Sequence, residues 1–530
     1  MFSLRSGSFG LLLVLGALPA FVQCTSDKPE SMVDPGGGNG AGAANSGGGS
    51  KNGGGGALNI DVGASTGDAG ASAQDGPCEG LECQQTTCTL GDCKVPACAG
   101  NAPLTTVSGK VYDPAGKVPL YNVVVYVPNG PVPAFTPGAA CDRCDASIAN
   151  PVASAITDTQ GAFKLEDVPV GSDIPLVIQV GKWRRQIVVP AVTACADTPL
   201  DNPDLTRLPK NQAEGDIPLI AITTGGADSM ECLPRRMGLE DSVFSTEAGT
   251  GRIHLYSGQD SGMSEATKRF TDDQNAGATL TRSTQLWNSV DTLKQYDIVI
   301  FSCEGGTIEN EKPPADRQAA YDYVSQGGRL FASHWHHIWF SAGPTPVPSI
   351  GTWRDRADPG DPTVATINTG FPKGAAFAEW LVNVGASQTA GQLSIIEPRD
   401  NIQLVDETQA TRWITIDQNT ECAEGCEDDD DLSDAERAAC VADCTANPGA
   451  VEYLSFNAPL GVPEEQKCGR AVYTDLHVSA TGEDEPGQPF PDGCEVRDLS
   501  NQEKAVMFML FDLSACVMDD RDPPKPPKVF

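Results

Sequence analysis

Between residues 105 and about 189, apolar and polar positions alternate with a period of two, in TTVSGKVYD, YNVVVYVPN, ASAITDTQGAFKLEDVP and PLVIQVGKWRRQIVV. Successive side chains of a strand point to opposite faces, so this pattern predicts half-buried strands. The turns Asp-Pro-Ala-Gly and Asp-Thr-Gln-Gly between them predict an antiparallel β-sandwich over 104–200. From residue 215 the pattern changes. DIPLIAIT, GRIHLYSG, QYDIVIFSC and GRLFASH are apolar without alternation, and helical stretches follow in PADRQAAYDYVSQG and GAAFAEWLVNVG. TRWITID, VEYLSF and RAVYTDLHVS come next, before a closing helix in NQEKAVMFMLFDLSACV. Apolar runs interleaved with helices predict a mostly parallel sheet covered on both faces, over 213–520.

The N-terminal pattern is of another kind. MFSLRSGSFGLLLVLGALPAFVQC has one basic residue, an apolar run and then Cys24, which reads as a secretory signal over 1–23. The run before Cys24 resembles a bacterial lipobox, with Gln23 in place of the usual small residue. That resemblance implies acylation of Cys24 and a membrane partner reached through the lipid. Residues 24–77, including DPGGGNGAGAANSGGGSKNGGGGA, hold almost no large apolar side chains and are expected to remain a disordered linker. About 50 residues of such coil span roughly 40 Å. A Cys-rich segment, 78–103, then places Cys78, Cys83, Cys88, Cys93 and Cys98 at five-residue steps, which fits a small disulfide knot better than the paired Cys-x2-Cys of a zinc ribbon.

Composition sharpens the picture. The 530 residues carry 36 Lys plus Arg against 71 Asp plus Glu, a net charge of −35, which repels a polyanion and excludes nucleic acid as a partner. Eighteen cysteines in an exported chain read as disulfides. With Cys24 set aside the number is odd, so at least one thiol is left over. In CAEGCEDDDDLSDAERAACVADC, Cys422 and Cys426 share one helical face, as do Cys440 and Cys444, so two bridges can pin a helical hairpin at 421–446. The acidic run 427–431 lacks the ligand spacing of an EF-hand and reads as a solvated helix start. Cys141 and Cys144 are expected to staple a surface loop.

VSGKVYDPAGKVPLYNVVVYV and AITDTQGAFKLEDVPVG resemble the carboxypeptidase regulatory-like, or transthyretin-like, domain family. Members of that family are mostly non-catalytic modules, some grouped with carbohydrate-binding folds. YDIVIFSCEGG, RQAAYDYVSQGGRLFASH and RAVYTDLHVS resemble the trehalose-utilisation-type branch of the class I glutamine amidotransferase-like fold. The nucleophile elbow of true amidotransferases carries Cys, whereas Ser333 or His334 stands at the matching position, so glutamine hydrolysis is not expected. The fold class that follows is multidomain: an Ig- or transthyretin-like β-sandwich, then an α/β flavodoxin-like parallel sheet, behind a disordered linker.

GGRLFASHWHHIWF holds His334, His336 and His337, three of the five histidines, and His477 closes AVYTDLH. Ligands of open α/β sheets gather at the carboxyl ends of the strands, where Cys303, His334 and His477 all fall. Imidazoles serve as metal ligands or general bases when they converge with a carboxylate. The expected catalytic set is therefore Ser333 as nucleophile, His334, His477 and Glu304. The expected metal set is His334, His477 and Asp475, for a divalent ion; no organic cofactor is expected. Alternatively His336 and His337 form an amphipathic cap with Trp335 and Trp339. Cys303 reads as the odd thiol, either reactive or, as the apolar lead-in IVIFSC favours, buried and structural. Trp183, Arg184 and Arg185 in GKWRRQIVV offer a platform for a sugar or an acidic partner, although strand arginines more often pair with local carboxylates.

Two functions remain. The preferred one is an outer-membrane or surface lipoprotein of the cell envelope that binds carbohydrate or envelope polymer, or scaffolds it. The alternative is a hydrolase or carbohydrate-modifying enzyme working at the Ser/His edge.

Overall fold

The structure, a computed structural model, describes residues 95–100, 102–144, 148, 151–259, 265–429, 432–478 and 484–527. The expected signal, Cys24, the linker, Cys78, Cys83, Cys88, Cys93 and the end of the acidic run lie outside the described residues. The chain is rich in β-sheet, and the described residues make one compact unit.

Seven strands come first: β1 (Thr106–Lys110), β2 (Val124–Val127), β3 (Ala153–Ile156), β4 (Ala162–Leu165), β5 (Gly171–Val180), β6 (Trp183–Val192) and β7 (Asp197–Leu200). They form two sheets, β4-β1-β7 and β3-β2-β5-β6, of which the second is antiparallel throughout and the first includes a parallel pair, β1 with β7.

Next come β8 (Ile220–Thr223), β9 (Phe244–Ser245), β10 (Ile253–Ser257), β11 (Thr281–Arg282), β12 (Ile298–Phe301) and β13 (Arg329–Ser333). After them follow β14 (Gly351–Trp353), β15 (Thr363–Ile367), β16 (Gln392–Ile395), β17 (Ile402–Val405), β18 (Thr411–Ile416), β19 (Ala450–Ala458) and β20 (Gly469–Thr474). Eleven of these strands build one sheet in the order β11-β10-β8-β12-β13-β20-β19-β18-β15-β16, with β9 beside β10. It is mixed rather than parallel throughout: pairing is parallel from β11 to β20 and antiparallel from β20 to β16. The side chains follow the split at its two extremes, although the antiparallel β19 is buried at every position too. IAIT, IVIF and RLFAS are buried at every position, as strands covered on both faces must be, whereas QLSI in β16 alternates exposed and buried.

Helices α1 (Pro314–Ser325), α2 (Pro372–Asn383), α3 (Glu421–Asp428), α4 (Asp434–Ala446) and α5 (Asn501–Ser514) complete the frame. α5 is buried at twelve of its fourteen positions and runs inside the frame. Its N-terminus is fixed by a capping box in which Ser500 Oγ accepts from the Glu503 N–H and the Glu503 carboxylate accepts from the Ser500 N–H. Phe508 stacks on Tyr121 at 6.0 Å and meets Phe377 at 4.5 Å, and Phe511 meets Trp183 at 5.9 Å. The two N-terminal sheets and one face of the large sheet thus share a continuous core through α5.

Six disulfides lock the described residues, and so many bridges mark an extracytoplasmic chain. Cys422–Cys444 and Cys426–Cys440 pin α3 to α4. Cys141 and Cys144 do not staple a local loop: they bond Cys468 and Cys516, across 327 and 372 residues, and so tie the N-terminal region to the start of β20 and to the segment just past Ser514. Cys98 pairs with Cys195, and Cys232 with Cys494. Among the described residues no helix is long and apolar enough to cross a membrane.

The fold also encloses Glu231, whose carboxyl is pushed up to about 8 by burial, with Asp228 and Asp484 adding repulsion. A folded state that holds this proton more tightly than the unfolded chain loses stability as pH rises from the ordinary carboxyl value toward 8. Glu231→Gln is expected to remove that slope. Its urea midpoint should exceed that of the parent at pH 8.5 and approach it at pH 5; equal midpoints at both would refute the assignment.

Candidate functional site

Three neighbouring parallel strands, β12, β13 and β20, end on one edge of the sheet and release Cys303, His334 and His477. Phe301 lies opposite Ala332 and Ser333 opposite Thr474, so the residues just past the strand ends arrive level with one another. The Cys303 Sγ stands 3.3 Å from His334 Nδ1, and His477 Nε2 stands 3.1 Å from that same Nδ1. The two imidazole centroids are 4.9 Å apart. All three ligand atoms fall within 4.8 Å of one another, and all three residues are buried. Cys303 is the one free cysteine among the described residues.

The surroundings hold this arrangement at both ends. His334 sits at φ 42°, a left-handed backbone that costs a non-glycine residue about 1–3 kcal/mol and persists only where neighbours impose it. Ser333 Oγ accepts from the Cys303 N–H at 2.9 Å and donates to Asp228 Oδ2 at 3.3 Å, while Asp228 Oδ1 accepts from the Val478 N–H at 2.9 Å. One carboxylate therefore braces the ends of all three strands. On the far side of His477, Nδ1 faces Glu397 Oε2 at 3.4 Å, and Gln502 Nε2 donates to the His477 carbonyl at 2.8 Å.

Electrostatics separate the two imidazoles. Burial drives His334 well below the ordinary histidine value, and the neighbouring His477 pushes the same way, so His334 is neutral. Burial alone would lower His477 too, but contact with Cys303 and Glu397 and the charge of Asp228 outweigh it and raise the group to about 10. Glu397 is held below the usual carboxylate range by its bond to that imidazolium.

Asp475 points elsewhere. Burial raises its carboxyl to about 7, and its Oδ1 lies 2.7 Å from the Tyr473 hydroxyl, which is also 2.9 Å from the His334 carbonyl. The buried Glu452 carboxyl nearby is likewise raised well above its ordinary value, by burial and then by Asp475.

Each expected site residue now has a place. His334 and His477 come together. Ser333 Oγ is engaged with Cys303 and Asp228, buried behind the thiol, so it braces the strand ends and is not a free nucleophile. Glu304 does not orient the histidine pair: its carboxylate takes Lys312 Nζ at 2.6 Å and the Gln259 N–H at 2.7 Å. Asp475 is absent from the converging set, and Cys303 takes its place. His336 accepts from Trp339 Nε1 at 2.8 Å and His337 bonds Ser341 Oγ at 3.0 Å, which makes them part of the cap. Trp183 is buried against α5 and offers no sugar platform. Arg184 pairs with Asp216 at 2.7 Å and Arg185 donates to the Asp204 carbonyl at 2.7 Å.

Sequence reasoning missed Glu397 and Asp228. Neither stands in a motif, and Glu397 lies 80 positions from the histidine it faces. Cys303 carried a signal, as the odd thiol at the end of an apolar strand.

No known protein family matches the chain, and no curated protein does. Among solved structures, a type II cohesin–X–dockerin complex from Acetivibrio cellulolyticus is 18% identical, over 28% of this chain and 79% of that one, with a TM-score of 0.14. A ThuA-like protein from Bacteroides uniformis is 11% identical, over 58% of this chain and 94% of that one, with a TM-score of 0.25.

Proposed function

We propose that this protein is an envelope lipoprotein, tethered through Cys24 and the linker 24–77, whose large sheet holds a mononuclear transition-metal centre on Cys303, His334 and His477. The transthyretin-like sandwich and flavodoxin-like parallel half then act as one disulfide-locked frame around it. The observation that carries this reading is the convergence of one thiol sulfur and two imidazole nitrogens on a common point. Bonds of about 2.3 Å to sulfur and about 2.0–2.1 Å to nitrogen set donor separations of roughly 3.3–3.7 Å around one ion, close to the 3.3 and 3.1 Å that separate His334 Nδ1 from the other two donors. The Glu397 carboxylate behind His477 Nδ1 is the kind of outer partner that fixes the tautomer of a ligating histidine. With Trp183 buried, the adhesive reading loses its most concrete sugar contact.

Metal analysis of the purified, dialysed protein tests the proposal. A transition metal in stoichiometric amount is expected, with tenfold or greater loss of affinity in His477→Ala; a metal-free protein that takes up no added zinc or copper would sink it. The hydrolase reading keeps one observation in its favour, since His477 contacts both Cys303 and Glu397, an arrangement of nucleophile, base and orienting group. Rapid alkylation of Cys303 by iodoacetamide in metal-free native protein would favour that reading, and protection would favour the buried ligand.

A further inference from the structure

The ligand set says which ion the centre suits. Among the described residues, the cluster offers one thiol and two imidazoles and draws in no carboxylate as a fourth donor. A structural zinc site closes with four protein ligands, and a catalytic one keeps an open position for water. Here the three donors are buried, His334 at 5%, His477 at 1% and Cys303 at 0% exposure, which leaves them shielded from solvent. An ion content with three donors in a sealed pocket fits better, and a trigonal His2Cys set is the arrangement that suits copper in electron transfer. The extracytoplasmic disulfides point the same way, because the compartment is oxidising and a lone thiol kept free there needs protection.

A route for the electron is also present. The Trp335 ring, partly exposed, lies 4.8 Å from the His334 ring and 5.9 Å from that of His337, so a conjugated side chain spans the gap between a ligand and the surface.

Resting on the metal reading above, we infer that the centre is a one-electron copper site, cycling between Cu(II) and Cu(I) with an external one-electron donor or acceptor that approaches at Trp335. Copper uptake releases to solvent the protons that the thiol–imidazole cluster holds in the metal-free protein. Reduction adds one electron to Cu(II) and oxidation returns it to the partner; the thiolate and both imidazoles remain bound throughout.

The mature protein titrated with Cu(II) should take up the ion stoichiometrically and develop the intense visible absorption of a thiolate-to-copper charge transfer. Ascorbate should bleach it and ferricyanide restore it. Cys303→Ser should abolish the band. Because that variant could fail to fold, Glu397→Gln provides a second reading: its half-exposed carboxylate faces His477 from outside the ligand set, and loss of the negative charge there should weaken copper binding about 10–100-fold and shift the reduction potential upward in protein saturated with copper. Stoichiometric zinc uptake with no coloured copper complex would overturn the copper inference and leave the metal centre standing. Failure to bind either ion would overturn both. A band that persists unchanged in Cys303→Ser would show copper bound elsewhere, and an unshifted potential in Glu397→Gln would refute the role given to that carboxylate.

Discussion

Replacing Arg470 with leucine is expected to cost the fold about 3–5 kcal/mol, the penalty for leaving a buried charge network without one partner. Arg470 on β20 is 2% exposed and bridges Asp512 at 2.7 Å and Asp520 at 2.8 Å, while Lys373 from α2 reaches the same two carboxylates at 2.9 and 3.1 Å. Two cations and two anions balance beneath the large sheet, and Ser455 and Asn457 complete the hydrogen bonds. Without Arg470, Lys373 alone faces both acids. Burial would raise Asp520, but Arg470 and Lys373 outweigh it and hold the carboxyl well below its usual range. A depressed carboxyl contributes stability above its unfolded value of about 3.9, and that stability is lost as pH falls through the folded value. The penalty of Arg470→Leu should therefore be full near pH 7 and shrink below about pH 4. Chemical denaturation at both pH values checks this; a penalty under about 1 kcal/mol at pH 7 would show that the network is dispensable.

Removing both long-range staples, Cys141–Cys468 and Cys144–Cys516, by paired alanine substitutions should lower stability by about 2–5 kcal/mol for each bridge. These bridges close very long loops, 327 and 372 residues, and they join the N-terminal region to the start of β20 and to the segment just past α5. The shared core around α5 remains, so the expected signature is reduced cooperativity: calorimetry should resolve a second transition where the parent shows one. An unchanged melting profile would mean that Phe508, Phe511 and their partners hold the two parts together unaided.

Much of the frame was legible in the chain. IVIF is apolar at every position because the strand it forms has no solvent face, and the structure buries all four residues. The helical hairpin followed from cysteines spaced one turn apart. The antiparallel half of the large sheet was not legible. β19 is buried at all nine positions and reads like a parallel strand, since burial on both faces erases the alternation that marks antiparallel pairing. The partners of Cys141 and Cys144 were equally hidden, because spacing along the chain says nothing about bridges closed by tertiary packing.

The sequence by itself determined that apolar strands end in His334 and His477, that the chain is acidic and cysteine-rich, and that one thiol is left over. Tertiary structure alone decided which third group joins the two imidazoles. Strand order sets β12 beside β13 and β13 beside β20, so Cys303 arrives next to His334. The left-handed backbone at His334 then breaks the regular alternation from which side-chain direction is read, and Asp475 and Glu304 turn to Tyr473 and Lys312 instead. Strand neighbours are chosen by the packing of the whole core, and a single positive φ is imposed by the groups around it; neither is written in the local order of residues.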